Sequence, residues 1–355
     1  MTGHASKDAP VGEVTVYRPG PTGSDQVAYA VQDGIGHVLL NRPRALNTLT
    51  PEMIEDLLAQ VTEWLDAGTV SAISLRGAGE RGLCAGGDVK AVRAALLADD
   101  PDTAIAFWAR EYELDLLLAT SPVPVVSRMS GFVMGGGLGV SAFSAHRCLA
   151  ADSQLAMPET VIGFFPDVGI TRLLARAPGE LGTYVALTGA TFGPADAIAL
   201  GLADRIDTDE SYDRVIDAVA QGADLHAGMP IPASPLAGAR GWIDECFAGD
   251  DASAIVRRLT EHPDDDAREC AQLLRARSPL AVCVTLARIR AAAAEPDLAT
   301  TLAVDRAVAA GMMRHPDFAE GVRARLVDKD NAPRWAHPRI EDVDPAEVAA
   351  LFASP

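Results

Sequence analysis

Two carboxylates set among apolar residues, proline and glycine are the first sign of chemistry in this chain. Residues 155–169 run Leu-Ala-Met-Pro-Glu-Thr-Val-Ile-Gly-Phe-Phe-Pro-Asp-Val-Gly, which contains Glu159 and Asp167. Apolar surroundings disfavour the charged form of a carboxyl group and lift its pKa toward the range useful for proton transfer or nucleophilic attack. Upstream lie two glycine-rich turns, Cys84-Ala85-Gly86-Gly87-Asp88 and Met134-Gly135-Gly136-Gly137. Each follows a strand-like run and opens a helix, so unbonded backbone N–H groups point out of the helix start. Glycine also lets a substrate atom approach the backbone closely. Two such N–H groups aimed at one point would form an oxyanion hole for a thioester or ester carbonyl. The plainer alternative is a pair of tight turns that serve topology alone.

Other motifs fall away. Gly137-Leu138-Gly139-Val140-Ser141-Ala142 fits the relaxed dinucleotide fingerprint GxGxxA, but it lies in mid-chain. Asp152, the first acidic residue after it, comes too early for a ribose contact. Ser141 sits in Gly-Val-Ser-Ala-Phe, which lacks the second glycine of a nucleophile elbow. No GxxxxGK[ST] phosphate loop occurs. The five cysteines form no CxxC pair and read as reduced thiols, Cys84 as a packing residue. The seven histidines show no metal-ligand spacing, so no metal site is expected.

The elements that must position these groups follow from periodicity. Val27–Gln32, a turn at Asp33-Gly34 and His37–Leu40 give a β-hairpin signal. Thr50-Pro51-Glu52 opens a helix in which Met53, Ile54, Leu57, Leu58, Val61, Trp64 and Leu65 share one face. Ala72–Leu75 and Val123–Ser127 are buried strands that feed the two glycine turns. Strand, glycine turn and helix in repetition give an α/β fold with ligands at the carboxyl ends of the strands. Residues 1–25, rich in Gly, Pro, Ser and Asp, are expected to form a mobile tail, 26–190 the core, and 191–355 a mainly helical region packed on it. Segments such as Leu97–Phe107 are expected to be loops that shape the pocket.

With 355 residues, 48% of them hydrophobic, the chain can bury a large core. Its formal charge of −19 opposes binding to nucleic acid or an anionic membrane. An anionic substrate would need a local basic patch. No apolar run is long enough to span a membrane, and Met1–Pro10 lacks a basic start followed by an apolar stretch. A soluble cytoplasmic protein is expected.

At this point the chain resembles the enoyl-CoA hydratase/isomerase (crotonase) superfamily. The resemblance rests on Asn41-Arg42-Pro43-Arg44-Ala45-Leu46-Asn47, Leu83–Val89, Met134–Gly139 and Ala156–Gly169. It continues through Glu320-Gly321-Val322-Arg323-Ala324, Asp328-Lys329-Asp330 and Pro333-Arg334-Trp335. The first three are generic. The Ala156–Gly169 run and the C-terminal segment are closer to the members that hydrolyse 3-hydroxyisobutyryl-CoA in valine degradation.

The resemblance implies a crotonase-like (ββα) spiral core, an acyl-CoA substrate, no separate cofactor, and possible homo-oligomers. It implies that Ala85 and Gly136 donate the two oxyanion N–H groups, with Gly86, Gly87 and Asp88 beside the substrate. The hydratases carry a catalytic Glu where this chain has Gly139, so water addition across a double bond lacks one of its proton-handling groups. Glu159 remains as general base or nucleophile, and Asp167 would orient the substrate hydroxyl or protonate the leaving group. Glu111 matches a substrate-contacting position. Arg42 and Arg44, at the end of the first strand, and Lys329 are the candidates for the coenzyme A phosphates. The rival readings are an enoyl-CoA isomerase that uses Glu159 alone and a non-catalytic RNA or scaffold protein on the same fold.

Overall fold

Alternating apolar residues make β2 (Val27–Gln32) and β3 (Ile35–Leu40) an antiparallel hairpin, preceded by the short β1 (Arg18–Pro19) on the outer side of β2. The computed structural model describes residues 16–353. The hairpin turn puts Asp33 (φ 52°) and Gly34 (φ 77°) in the left-handed region, the twist a two-residue turn requires. Thr50 caps the next helix, α1 (Pro51–Ala67), by accepting the Met53 N–H, and Gly68 ends it with φ 60°.

Helix α1 then crosses over so that β4 (Ala72–Gly77) runs parallel to β3. Helices α2 (Val89–Leu97) and α3 (Pro101–Ala119) make the next crossover, to β5 (Val125–Met129). The strand starts at Val125, after Pro124, which has no N–H to give a ladder. After β6 (Phe132–Met134) and α4 (Gly136–Ala142) come β7 (His146–Leu149), β8 (Gln154–Ala156) and, further on, β9 (Arg205–Ile206). The main sheet has the order β1-β2-β3-β4-β5-β7-β9, parallel from β3 onward, and β6 pairs with β8 in a small second sheet.

Both faces of the parallel part are covered, as such sheets require. Ile73 and Leu75 point into the main core. Ala72, Val126 and Cys148 meet Tyr212, Val215 and Ile216 of the helix Asp209–Ala220 on the other face. The Tyr212 hydroxyl is bonded there to Ser74 and to the Val126 carbonyl.

Three expectations are corrected. Of the tail expected over residues 1–25, residues 1–15, which include Met1–Pro10, lie outside the described residues. Residues 16–25 carry β1, and the Thr22 N–H donates to Asp56 at 2.8 Å. The boundary at 190 divides nothing: Phe192 pairs with Leu155, and β9 is a strand of the main sheet. Leu97–Phe107 is not a loop, because Asp100 accepts the Thr103 N–H and starts α3 at Pro101. No helix among the described residues is long and apolar enough to cross a membrane.

Candidate active site

The two glycine turns are joined to each other. Cys84 N–H donates to Phe132 O at 3.2 Å and Met134 N–H to Cys84 O at 3.0 Å, so the first turn lies alongside β6. A Cβ on Gly137 would sit 2.2 Å from the Cys84 carbonyl, which explains glycine at that crossing. Cys84 itself is fully buried and its thiol is pushed up to about 12 by burial, the state of a packing residue rather than a nucleophile.

The turn does not offer the N–H the resemblance implied. Ala85 N–H donates to Leu46 O at 3.0 Å and is therefore engaged. Leu49 N–H bonds to Gly86 O, and Asp88 N–H bonds to Leu49 O. Between them the extended backbone alternates, so the Gly87 N–H turns to the opposite side and finds no acceptor among the described residues. A Cβ on Gly87 would meet the Phe107 ring and lie 3.7 Å from Glu111 Oε2, and Gly87 lines the same cavity as Gly136. Gly136 is the first residue of α4, and its N–H has no intrahelical partner. Gly87 and Gly136 thus hold the free donors.

Glu111 lies between these two glycines. Its Oε1 is 2.0 Å from where a Cβ on Gly136 would sit, and its Oε2 is 3.7 Å from one on Gly87. Any side chain at 136 would collide with it. The buried stripe of α3 explains how it arrives there: Ala104, Phe107, Trp108, Glu111, Tyr112, Asp115 and Leu118 recur at helical spacing.

Glu159 opens a short 3₁₀ turn, Glu159–Ile162, that Gly163 ends at φ 73°. Its Oε1 lies 3.0 Å from the Cβ position of Gly135. Asp167 follows in the next turn and accepts the Tyr112 hydroxyl at 2.7 Å. Val168 stands at φ 51°, a strained conformation for a β-branched residue, and Gly169 at φ 74°. What holds this turn is a buried ion pair. The Gly169 N–H donates to Asp305 Oδ2 at 2.8 Å, and Asp305 Oδ1 accepts from Arg288 Nε at 2.7 Å, both side chains being fully buried.

Trp108, Phe164 and Phe318 pack around this end with ring centroids 5.2–5.6 Å apart. The dry surroundings set the proton affinities. Burial, and then the Asp167 charge, raise Glu159 and Glu111 well above the usual carboxylate range. Asp167 is pushed up to about 7 by burial, opposed by the Tyr112 hydrogen bond. One cavity of about 430 Å³ contains Gly86, Gly87, Glu111, Gly136, Glu159 and Asp167 in its wall. Ala85 also lines it, but Asp88 does not. Asp88 precedes α2 and faces Arg42 at 3.5 Å. Nor do the proposed phosphate holders reach the cavity: Arg42 is spent on the Thr48 carbonyl and Asp88, and Arg44 and Lys329 lie outside its wall.

Residues missing from the sequence reading complete the site. Tyr112, Arg288 and Asp305 position Asp167, and Asp115 fills the space beside Gly139. A Cβ on Gly139 would sit 2.8 Å from both Asp115 oxygens. Those oxygens have no hydrogen-bond partner among the described residues, and burial raises Asp115 well above its ordinary pKa. The signal was available: two carboxylates, Glu111 and Asp115, four apart on an otherwise apolar helix face.

Asp115 gives a stability prediction. The folded state keeps a proton that the unfolded chain releases above the ordinary aspartate pKa, so this contribution falls as pH rises. Asp115→Asn is expected to stabilise the protein by on the order of 1 kcal/mol at about pH 8 and to change little at about pH 4. Urea unfolding at both pH values checks it; an equal effect at both would show that Asp115 is not held protonated.

Away from the cavity, His315, His337 and Glu347 present ligand atoms within 4.8 Å of one another. The Asp317 N–H donates to His315 Nδ1 at 3.3 Å, which leaves the ring proton on Nε2, facing Glu347 at 3.6 Å. That nitrogen then has no lone pair for an ion.

A family model described as enoyl-CoA hydratase/isomerase matches residues 35–352. Similar curated proteins include a "3-hydroxyisobutyryl-CoA hydrolase, mitochondrial" of Dictyostelium discoideum, 30% identical over 93% of this chain and 92% of that protein. Another is the "Small ribosomal subunit protein mS47" of Schizosaccharomyces pombe, 32% identical over 88% of this chain and 77% of that protein. Among solved structures, a carnitinyl-CoA dehydratase from Mycobacterium thermoresistibile is 43% identical with a TM-score of 0.87, covering 94% of this chain and 97% of that one. The cytoplasmic expectation is overturned by the hydrolase relatives, of which the Dictyostelium protein is named as mitochondrial. The expectation rested on composition and on the missing apolar run, which do not tell one aqueous compartment from another.

Proposed function

The chain belongs to the enoyl-CoA hydratase/isomerase family, and from that premise we propose that it hydrolyses a short branched 3-hydroxyacyl-CoA thioester, 3-hydroxyisobutyryl-CoA, as a step of valine degradation. The observation that carries this reading is the convergence of Glu159, Asp167 and two free N–H groups on one dry cavity, with Gly139 walled in by Asp115.

The Gly87 and Gly136 N–H groups hold the thioester oxygen as the carbonyl electron pair moves onto it. Each such donor is worth about 2.7–4 kcal/mol at the transition state. Glu159, once ionised, either takes a proton from the attacking water or attacks the carbonyl itself to give a mixed anhydride that water then splits. Collapse of the oxyanion breaks the C–S bond, and Asp167 supplies the proton for the departing thiolate or holds the substrate hydroxyl. Glu111, between the two donors, keeps its proton and so does not oppose the oxyanion. Every group this hydrolysis needs is in the chain, and no separate cofactor enters.

The dehydratase relative favours a second reading, water chemistry at a double bond. That reaction needs a second proton-handling group at position 139, where there is no room for a side chain. A ribosomal role like that of the fission-yeast relative is opposed by the charge of −19 and by the intact carboxylate pair. Purified protein mixed with 3-hydroxyisobutyryl-CoA and a thiol-reactive dye decides the matter. Rapid thiol release is expected; no thiol, with hydration or isomerisation of an enoyl-CoA instead, would sink the hydrolase.

A further inference from the structure

Two roles are open to Asp167 in the hydrolysis: donor of a proton to the departing thiolate, or holder of the substrate hydroxyl. A donor must carry a proton, and must carry it on an oxygen that is free to give it away. Tyr112 bears on the second condition. It is buried on α3, and its hydroxyl donates to Asp167 Oδ2 at 2.7 Å, the one acceptor it finds among the described residues. If Asp167 gave its own proton to the phenol oxygen, the phenol O–H would become a buried donor without an acceptor, which folded proteins avoid. The phenol therefore donates, and Oδ2 serves as the carbonyl-type oxygen. The proton of a neutral Asp167 is left to Oδ1.

Asp305 bears on the first condition. It sits on the helix Leu298–Met312, and its Oδ2 accepts the N–H of Gly169, which closes the turn that carries Asp167. The Asp305 charge favours a proton on Asp167, whereas the Tyr112 bond and, more weakly, the Trp108 side chain favour the carboxylate. The other titratable groups beside Asp167 are Glu111 and Asp115 on α3 and Glu159 in the preceding turn, all acids whose hold on a proton is raised by burial. Arg288 is already bonded to Asp305 and Glu295, and no cation pairs with Asp167 among the described residues.

We propose that Tyr112 and Asp305 are positioning residues that make Asp167 a proton donor: the phenol confines the proton to Oδ1, and the Asp305 charge keeps it there. This rests on the hydrolase reading above. In the step itself the C–S bond breaks, its electron pair goes to sulfur, and the sulfur takes the Oδ1 proton. Asp167 is left as a carboxylate, which the Tyr112 hydroxyl already holds. When Glu159 acts as general base it has the proton of the attacking water, and one proton passed back to Asp167 restores the pair. When Glu159 attacks directly, the water that splits the anhydride returns a proton to Asp167.

The test is the pH profile of thiol release by Tyr112→Phe and Asp305→Asn in the full chain. An acid must be protonated to act, so kcat/KM of the wild type should fall as pH rises through the Asp167 pKa, which burial pushes up to about 7. Losing the phenol removes support for the carboxylate, so the alkaline limb should move up by about one pH unit, the scale of a hydrogen bond to a charged group. Losing the Asp305 charge should move the limb down. A merely structural role would lower activity in both variants and leave the limbs together, and that result would overturn the proposal. Tyr112→Phe keeps the buried ring, so it decides alone if Asp305→Asn does not fold. Isobutyryl-CoA, which lacks the 3-hydroxyl, should show the same shifts. Shifts confined to the hydroxylated substrate would make Asp167 the holder of that hydroxyl and overturn the proposal too. The carboxylic acid C=O band of Asp167, identified by its loss in Asp167→Asn, is titrated by infrared spectroscopy without substrate. It should persist to higher pH in Tyr112→Phe and vanish at lower pH in Asp305→Asn; the reverse order refutes the placement. A chain that keeps the expected order but releases no thiol would remove the hydrolase and leave the proton placement standing.

Discussion

Glu159→Gln is expected to lower thiol release by roughly 10³-fold, the effect of removing a positioned general base or nucleophile, while coenzyme A still binds. The substitution is close to isosteric, and Glu159 Oε2 has no hydrogen-bond partner among the described residues. The pH dependence carries the argument further. Glu159 must be ionised to act, so kcat/KM should rise with pH on the acid side, through a pKa that burial and the Asp167 charge hold above the usual carboxylate value. Neutralising Asp167 removes one of those two causes. In Asp167→Asn the residual activity should therefore have its acid limb at lower pH than the wild type. An unmoved limb would mean that the two carboxyl groups do not titrate together, and a fully active Glu159→Gln would take this residue out of the chemistry.

Arg288→Met is expected to cost about 3–5 kcal/mol, because it leaves Asp305 as an uncompensated charge in the interior. Arg288 is fully buried, bonds Glu295 and the Thr301 carbonyl as well as Asp305, and no water-exposed partner can replace it. With Arg288 present, Asp305 is raised only to about 6, since the guanidinium opposes burial. Without it the carboxyl group must take a proton. Thermal unfolding should show a drop of roughly 4–7 °C. Adding Asp305→Asn to Arg288→Met should recover part of that loss, as the buried charge is gone. No recovery would mean that packing of the long arginine stem, rather than charge, dominates.

The two carboxylates and the glycine turns that share the cavity were legible because they are written as local patterns. Glu159 and Asp167 stand in one fifteen-residue run, and the glycine turns carry their own signature. The hairpin, α1 with its Thr50 cap and the parallel core followed from periodicity for the same reason. What stayed hidden depends on partners distant in the chain. Ala85 reads as the oxyanion donor from its motif, but its N–H is bonded to the Leu46 carbonyl, a partner distant in the chain. Asp305 and Arg288 are ordinary charged residues on helices until burial shows that they hold the Gly169 N–H. Asp115 alone was within reach, as a second acid on the apolar stripe of α3.

Phe318 closes the aromatic wall, although it is synthesised long after Phe107, Trp108 and Phe164, against which that end of the site is built. The carboxyl cluster is therefore among the last parts of the nascent chain to become dry. Until the helix Pro316–Val322 docks, Glu111, Glu159 and Asp167, whose cavity Phe318 helps to wall, stand nearer to water, where they ionise and repel one another. Docking obliges them to take up protons. Closing of the site is thus linked to proton uptake, which a lower pH favours.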